Sequence, residues 1–580
     1  MRKTKIVCTI GPASQDPQIL KAMIQAGMNV ARLNFSHGTH EEHLKVLTAI
    51  RNLSIEMNTP IAVLQDLCGP KIRIGNLKSA PVELKNGADF TLTTDEIDGD
   101  NQKASISYKG LPSDIHTGAQ ILIDDGLIEL KAVEITDTEV RCVVINGGEL
   151  APHKGVNFPG VSLKVPAVTE KDIEDLIFGL EHKVDFVALS FIRESNDLIP
   201  IKNIMEEKKT FIPIIVKIEK HEAVKNIDDI LQYVDGLMVA RGDLGVEIPI
   251  EEVPLVQKML IKKCNILAKP VITATQMLDS MIRNPMPTRA EVTDVANAIF
   301  DGTDAIMLSG ESASGKFPLE AVKMMVKIAE TTENALPYEK VLGERIAGAT
   351  AIESISLATC EIAEELEAKA ILISTSSGRT AKSVSKFKPR APILAATTSE
   401  ESMRRLVLSW GVQPLLVSKP ENTDKMMEDA TGAALKSGIV KEGDLIIITG
   451  GIPAGIHGST NMIKVHILGK IFLRGTGVGK KAVVTGKICT AMTPDEAEKK
   501  LEEEDILLIK NIDESWRKVL LKVKGVICRD CTPGSPASKI IEEAGLPAVF
   551  GVPSALEVFK DERIITIDSS IGTISVQDSI

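Results

Sequence analysis

The chain has 580 residues, a formal net charge of −12, and 44% hydrophobic and 25% charged residues, with a mean hydropathy of +0.09 and a pI near 5.5. This balance belongs to a folded globular protein and not to a disordered one. The acidity argues against a duplex nucleic acid as partner, because phosphate contacts need a basic face. No apolar run approaches the ~20 residues of a membrane helix, and the opening MRKTKIVCTIGP lacks a secretory signal pattern. A cytoplasmic protein without a membrane partner is expected, with its eight scattered cysteines present as reduced thiols.

Through residue 311 short apolar runs precede helical segments, the βα alternation of a parallel sheet. Eight such runs occur in order: KIVCTI (5–10), NVARLNF (29–35), IAVLQD (61–66), VDFVALSF (184–191), IPIIVKIE (212–219), DGLMVARG (235–242), PVITATQ (270–276) and DAIMLSGE (304–311). Eight parallel strands predict a closed (β/α)8 barrel, an α/β fold whose active site lies at the carboxyl ends of the strands. Polar residues finish most runs there, among them Arg32, Asn34, Asp66, Lys217, Glu219, Arg241, Asp243, Thr275 and Glu311.

The spacing breaks once. Residues 70–167 alternate polar and apolar positions between Gly, Asp and Asn turns, which predicts an antiparallel β domain inserted after the third strand and able to act as a lid. The barrel is therefore expected over 1–69 and 168–337. Helices around 347–367 and strands AILIST, PILAAT and DLIIITG predict an open α/β domain over 338–472. A small fourth unit is expected over 473–580, with a helix near 536–544.

Within this frame, Lys217 and Glu219 stand two apart at a strand end and so share a face. Glu219 and Asp243 offer two hard oxygen ligands and leave positions open on a Mg²⁺ ion for water and substrate oxygens. Lys217 on the same face suits a phosphoryl group in flight. An ordinary salt bridge at a strand end is the other reading of the lysine.

Seven segments in order, ARLNFSHG (31–38), QDLCGPKIR (65–73), KGVNFPG (154–160), VKIEK (216–220), ARGDLG (240–245), ATQMLDSM (274–281) and MLSGESASGKFP (307–318), resemble the pyruvate kinase family, with the likeness spanning residues 1 to about 472. The resemblance implies transfer of the phosphoryl group of phosphoenolpyruvate to ADP, giving pyruvate and ATP in the last step of glycolysis. It implies Mg²⁺, with Mn²⁺ as an alternative, at Glu219 and Asp243. It further implies that Arg32 contacts the transferred group, that Arg73 and Lys154 reach the nucleotide phosphates, and that the amides of Gly242 and Asp243 bind the substrate carboxylate. Thr275, with waters near Ser309 and Glu311, is implied to protonate the enolate, and a homotetramer is the implied assembly. Two rivals stay open on sequence: a barrel lyase acting on a 2-oxo acid, and a catalytically inactive sugar phosphate sensor.

The family's monovalent cation site maps onto Asn34, Ser36, Asp66 and the carbonyl of Leu67. K⁺-dependent members have glutamate where this chain has Lys71, so the resemblance implies activity without K⁺, the ammonium replacing the cation. The loop Thr375, Ser376, Ser377, Gly378, Arg379 and Thr380 is similar to the family's effector site and implies an allosteric phosphorylated ligand, a sugar phosphate or AMP; a plain helix-capping turn is the alternative. The last hundred residues resemble the swivelling phosphohistidine domain of phosphoenolpyruvate-utilising enzymes. Pro536 stands where the histidine should be, so phosphoryl carriage is not expected. Cys528 and Cys531 form a lone CxxC, unpromising for zinc without a second pair and open to redox chemistry.

Overall fold

The computed structural model describes residues 2–79, 81–338, 350–419, 421–442, 444–451, 460–468, 471–502, 505–559 and 564–576. Two compact units are distinguished, one of Met1–Glu364, Ile371–Ala430 and Thr449–Met462, the other of Glu365–Ala370, Thr431–Ile448 and Ile463–Ile580.

Eight strands of the first unit close into a parallel barrel: β1 (Lys5–Ile10), β2 (Val30–Asn34), β3 (Ala62–Asp66), β4 (Phe186–Leu189), β5 (Ile214–Ile218), β6 (Gly236–Ala240), β7 (Val271–Ala274) and β8 (Ala305–Leu308). All eight predicted runs contain strands, each trimmed at one or both ends except the first, which matches to the residue. Side chains alternate across each strand. Val7, Val30, Leu64, Phe186, Ile215, Met238, Ile272 and Met307 fill the barrel interior, while Ile6, Ala31, Val63, Val187, Val216, Leu237, Val271 and Ile306 pack outward against the helices. The helices start where short polar residues can satisfy free amides: Thr39 with Glu42, Thr169 with Asp172 and Thr288 with Glu291 form reciprocal capping boxes.

The insertion between β3 and β4 builds a six-stranded sheet over its own apolar core, in which Phe90, Leu130, Val140 and Phe158 are buried. Its strand pairs are antiparallel save one, Asp89–Thr93 beside Lys103–Ser105, which runs parallel. Beyond the barrel, helix Ala351–Glu365 is followed by parallel strands Ala370–Ser374, Ile393–Thr397 and Val412–Leu416, as expected of an α/β domain. Of the helix predicted from 347, residues 347–349 lie outside the described residues.

The second unit carries an eight-stranded mixed sheet, in which Val483–Thr490, Ile506–Ile509, Gly525–Cys528 and Pro547–Phe550 run parallel as neighbours. Helix Pro536–Ala544 lies where predicted, with Pro536 in its first turn, the place where a missing N–H costs nothing. One expectation is corrected in this unit: Cys528 and Cys531 are joined in a disulfide, while the other six cysteines form none. Dispersal along the chain says little about a pair three residues apart, because the turn after the strand brings their Cα atoms to 5.5 Å, within disulfide range.

Candidate active site at the barrel mouth

The alternation that buries one face of each strand also carries polar side chains to the carboxyl end of the barrel. Ala62 and Leu64 fill the interior and Asp66 continues their face; Ile215 is followed by Lys217 and Glu219, Val30 by Arg32, and Phe186 and Ala188 by Ser190. The result is a buried charge cluster. Arg32 Nε donates to Asp66 Oδ2 at 2.6 Å and its Nη1 to Thr9 Oγ1 at 2.8 Å. Lys217 Nζ donates to Ser190 Oγ at 2.8 Å, lies 2.7 Å from Glu219 Oε1 and 3.6 Å from Asp66 Oδ1. Ser190 Oγ in turn donates to the Leu67 carbonyl at 2.8 Å.

Glu219 lies one residue past β5 and is fully buried. Its Oε2 accepts the backbone N–H of Phe191 at 2.8 Å, an amide that faces it because Phe191 adopts a left-handed φ of +58°. β6 runs directly into helix Arg241–Glu247, and Asp243 sits in its first turn. Its Oδ1 is 3.3 Å from Lys71 Nζ. Lys71 thus contacts a predicted metal ligand, while the predicted monovalent-cation groups have partners of their own. Asn34 Oδ1 accepts the Ser36 amide, Asp66 holds Arg32, and the Leu67 carbonyl accepts from Ser190. Lys71, near the start of the inserted segment, lies against Gly155 of that segment, where a Cβ would stand 2.9 Å from Lys71 Cε. Glycine is what the close approach permits.

Burial alone would lower the Lys217 pKa, but Asp66 and then Glu219 outweigh it, so the ammonium titrates above the ordinary lysine value. Glu219 moves up, chiefly by burial, with Lys217 opposing and Asp243 adding to the rise. Arg32, Lys71 and Lys217 balance Asp66, Glu219 and Asp243 in formal charge. An incoming phosphorylated anion therefore meets a neutral cluster and calls for a further cation.

The orientation of Thr275 is decided by the backbone at the end of β7. Thr275 shares the outward face of Val271 and Thr273, yet φ of +68° at Thr275 and +53° at Gln276 turn the chain at the end of β7. Its Oγ1 accepts the Gly242 amide at 2.8 Å and donates to the Ala274 carbonyl at 2.6 Å. Arg241 fixes this turn through the carbonyls of Ala274 and Thr275 and an ion pair with Asp294. Of the two amides expected at the carboxylate, that of Gly242 is thus engaged by Thr275. Near β8, Glu311 accepts the amides of Leu278 and Ser309, whereas Ser309 Oγ is buried without a hydrogen bond.

On the inserted domain, Arg73 donates to the His153 carbonyl at 2.8 Å and Lys154 pairs with Asp124 at 2.8 Å. Further along, Thr375 Oγ1 accepts the Gly378 amide at 3.0 Å across a left-handed Gly378, and Thr380 Oγ1 lies 2.7 Å from Thr460 Oγ1. Ser377 and Arg379 line an open cleft, whereas the Ser376 carbonyl accepts from Ser402 Oγ. Ser190 and Phe191 are absent from the sequence-based candidates. The signal was faint, since a serine after VDFVAL reads as an ordinary strand end, although its parity with Phe186 and Ala188 points it into the barrel.

Among the described residues no three His, Cys, Asp or Glu stand together as a closed metal cage. The donors do suit a divalent ion that shares its shell with substrate. Glu219 and Asp243 are two carboxylates of one neutral cluster, burial together with the charge of Asp243 raises the Glu219 pKa, and buried Asp66 Oδ1 accepts no hydrogen bond among the described residues.

Comparison with known proteins agrees along nearly the whole chain. Residues 1–322 match the family model of the pyruvate kinase barrel domain, 353–466 that of the pyruvate kinase alpha/beta domain, and 501–572 that of the mobile domain of PEP-utilising enzymes. A pyruvate kinase of Geobacillus stearothermophilus is 47% identical over 578 residues, covering 99% of this chain and 98% of its own. Pyruvate kinases of Staphylococcus aureus strains MRSA252 and USA300 are each 46% identical over 578 residues, covering 99% of both chains. With a closed eight-stranded barrel, a charged cluster at its mouth and relatives of this similarity over full length, the chain belongs to the pyruvate kinase family and is a phosphotransferase.

Proposed function

We propose that the barrel mouth transfers the phosphoryl group of phosphoenolpyruvate to ADP, yielding pyruvate and ATP, through the residues named above. The observation that carries this reading is the buried Lys217 ammonium, kept charged by Asp66 and Glu219 and oriented by Ser190. Glu219 and Asp243 would hold Mg²⁺, or Mn²⁺ in its place, which supplies positive charge to the phosphoryl oxygens when bound. Arg32 and Lys217 hold the transferring group from two sides, and Arg73 and Lys154 bind the nucleotide phosphates. The Gly242 and Asp243 amides bind the substrate carboxylate, the first by exchanging Thr275 Oγ1 for it. Loss of the phosphoryl group leaves the enolate of pyruvate, and Thr275 Oγ1 passes a proton to its methylene carbon, regaining one from water.

In this reading the chain divides into barrel (1–69 and 168–337), lid (70–167), effector domain (338–472) and a terminal domain (473–580). The lid excludes water from the transfer. Lys71 supplies beside Asp243 the charge for which K⁺ would otherwise be recruited, with Asn34, Ser36, Asp66 and Leu67 as the remaining cation site. Residues 375–380 take a phosphorylated effector, a sugar phosphate or AMP, and the assembly is a cytoplasmic homotetramer. The deciding experiment is a coupled assay for pyruvate from phosphoenolpyruvate and ADP in wild type and Lys217→Met. ADP-dependent turnover that the substitution lowers by a few powers of ten in kcat, with far less change in KM, is expected. A wild type without such turnover overturns the reading. Unchanged substrate saturation with saturating sugar phosphates and AMP removes the effector assignment, and a sedimentation mass other than that of four chains removes the tetramer.

A further inference from the structure

The terminal unit carries a group that phosphoryl transfer does not use. Strand Gly525–Cys528 ends in the first half of the CxxC pair, and the exposed turn Thr532–Gly534 follows Cys531 before helix Pro536–Ala544 begins. Both cysteines are buried, at 0% and 2% exposure, in the core formed with Trp516, Ile541 and Phe550. Among the six cysteines outside the disulfide, burial pushes the thiols of Cys8, Cys142 and Cys264 up, so they are poor nucleophiles at neutral pH.

The surroundings of the pair suit two oxidation states. Cys528 Sγ lies 3.5 Å from the Lys510 carbonyl and Cys531 Sγ lies 3.7 Å from Asn511 Oδ1. Both distances fit S–H donors, so each sulfur faces an acceptor that a free thiol could use, and reduction would leave neither thiol as an unsatisfied buried group. The flanking chain is held independently of the sulfurs. The Arg529 amide donates to the Ile509 carbonyl, Asp530 to Lys510, and Gly551 to Cys528, which fastens the strand end in either state. Among the described residues, the turn after Cys531 lacks such ladder bonds, apart from Gly534 N–H to Ser538 Oγ at 3.0 Å and the bonds of Ser535 and Ser538 that open the helix.

We propose that Cys528 and Cys531 are a reversible thiol–disulfide couple that fastens the 531–535 turn when oxidised and releases it when reduced. A thiolate of a small dithiol reductant attacks Cys531 Sγ, the sulfur beside the exposed turn. The S–S bond breaks, and Cys528 leaves as a thiolate and takes a proton. The second thiol of the reductant then closes on the mixed disulfide, releasing Cys531 as a thiol. The protein gains two electrons and two protons, and the reductant leaves as its cyclic disulfide. Oxidation runs the same steps backwards with a disulfide oxidant.

The test uses the full chain, equilibrated natively in reduced or oxidised dithiothreitol, quenched in acid, unfolded, alkylated with N-ethylmaleimide and weighed. Of eight cysteines, six should label in the oxidised buffer and all eight in the reduced one, interconvertibly, with the difference in the peptide holding Cys528 and Cys531. Amide exchange at 532–535 should quicken several-fold on reduction. Eight labels in both buffers, six in both, a difference located at other cysteines, or equal exchange in the two states each overturn the proposal. The Cys528→Ser/Cys531→Ser variant should label at six in both buffers and exchange like the reduced wild type. Should it not fold, the wild-type measurement still decides.

Discussion

Two buried lysines at opposite ends of the barrel respond to burial in opposite ways. Lys5, at the start of β1, donates to the Val412 carbonyl at 2.6 Å, and its pKa is pushed down to about 7, first by burial and then by the charge of Arg2. Lys217, at the end of β5, is pushed up because Asp66 and Glu219 overcome the same burial. A carbonyl dipole cannot replace the lost hydration of an ammonium, whereas two carboxylates within 3.6 Å can. One lysine is a burden on folding. The other is a cation fixed where chemistry needs it.

The contrast can be broken in several ways. The largest effect is expected for Lys217→Met, about a thousandfold in kcat from loss of a cation at the transferring group, measured in the coupled assay. If the cluster acts as a unit, Glu219→Gln should come next. It removes one carboxylate from Lys217 and one from the metal, and the Mg²⁺ concentration at half-maximal rate should rise about 10- to 100-fold. At the opposite end, Lys5→Met should raise stability by a few kcal/mol at neutral pH, because it removes the burial cost that pushes the Lys5 pKa down to about 7.

The pH dependence of Lys5 has a definite sign. Its folded pKa near 7 lies below the ordinary 10.5, so between these values the unfolded chain binds more protons and stability rises with pH. Denaturant midpoints at pH 7 and pH 10 should therefore diverge in wild type and draw together in Lys5→Met. Equal slopes in the two proteins would contradict the assignment. A smaller effect is expected for Ser190→Ala, about tenfold in kcat with little change in stability, since Lys217 would keep its charge and lose one orienting bond. Smallest of all should be the effect of monovalent salt. Activity in Na⁺-free buffer should hardly change when K⁺ is added, and a requirement for K⁺ would show that Lys71, engaged with Asp243, does not replace the cation.

Much of this was legible in the residues. The eight apolar runs gave the eight strands because β-branched segments bounded by polar residues have few other ways to bury themselves. Period-two alternation was enough to place Lys217 and Glu219 on one face, and the closed barrel shows that face to be the inward one, shared with Asp66. The same local rule could not find Ser190, whose importance rests on two partners from distant strands, the Leu67 carbonyl and Lys217. Nor could it find the disulfide, which depends on how tightly the chain turns after Cys528.

By itself, then, the sequence determined the strands, their order of appearance and the chemical types gathered at the strand ends, all of which follow from local pattern and periodicity, while the family was legible only as the resemblance of seven segments to known relatives. The tertiary structure decided which of those groups meet. Left-handed turns at Phe191 and Thr275 set the amide of one against Glu219 and the hydroxyl of the other against Gly242, and barrel closure brought β3, β4 and β5 together around one ammonium. Lys71 reached Asp243 by the same means, across 172 residues of chain. A charge pair depends on distance in space, and nothing in the spacing along a chain fixes that distance until the fold closes.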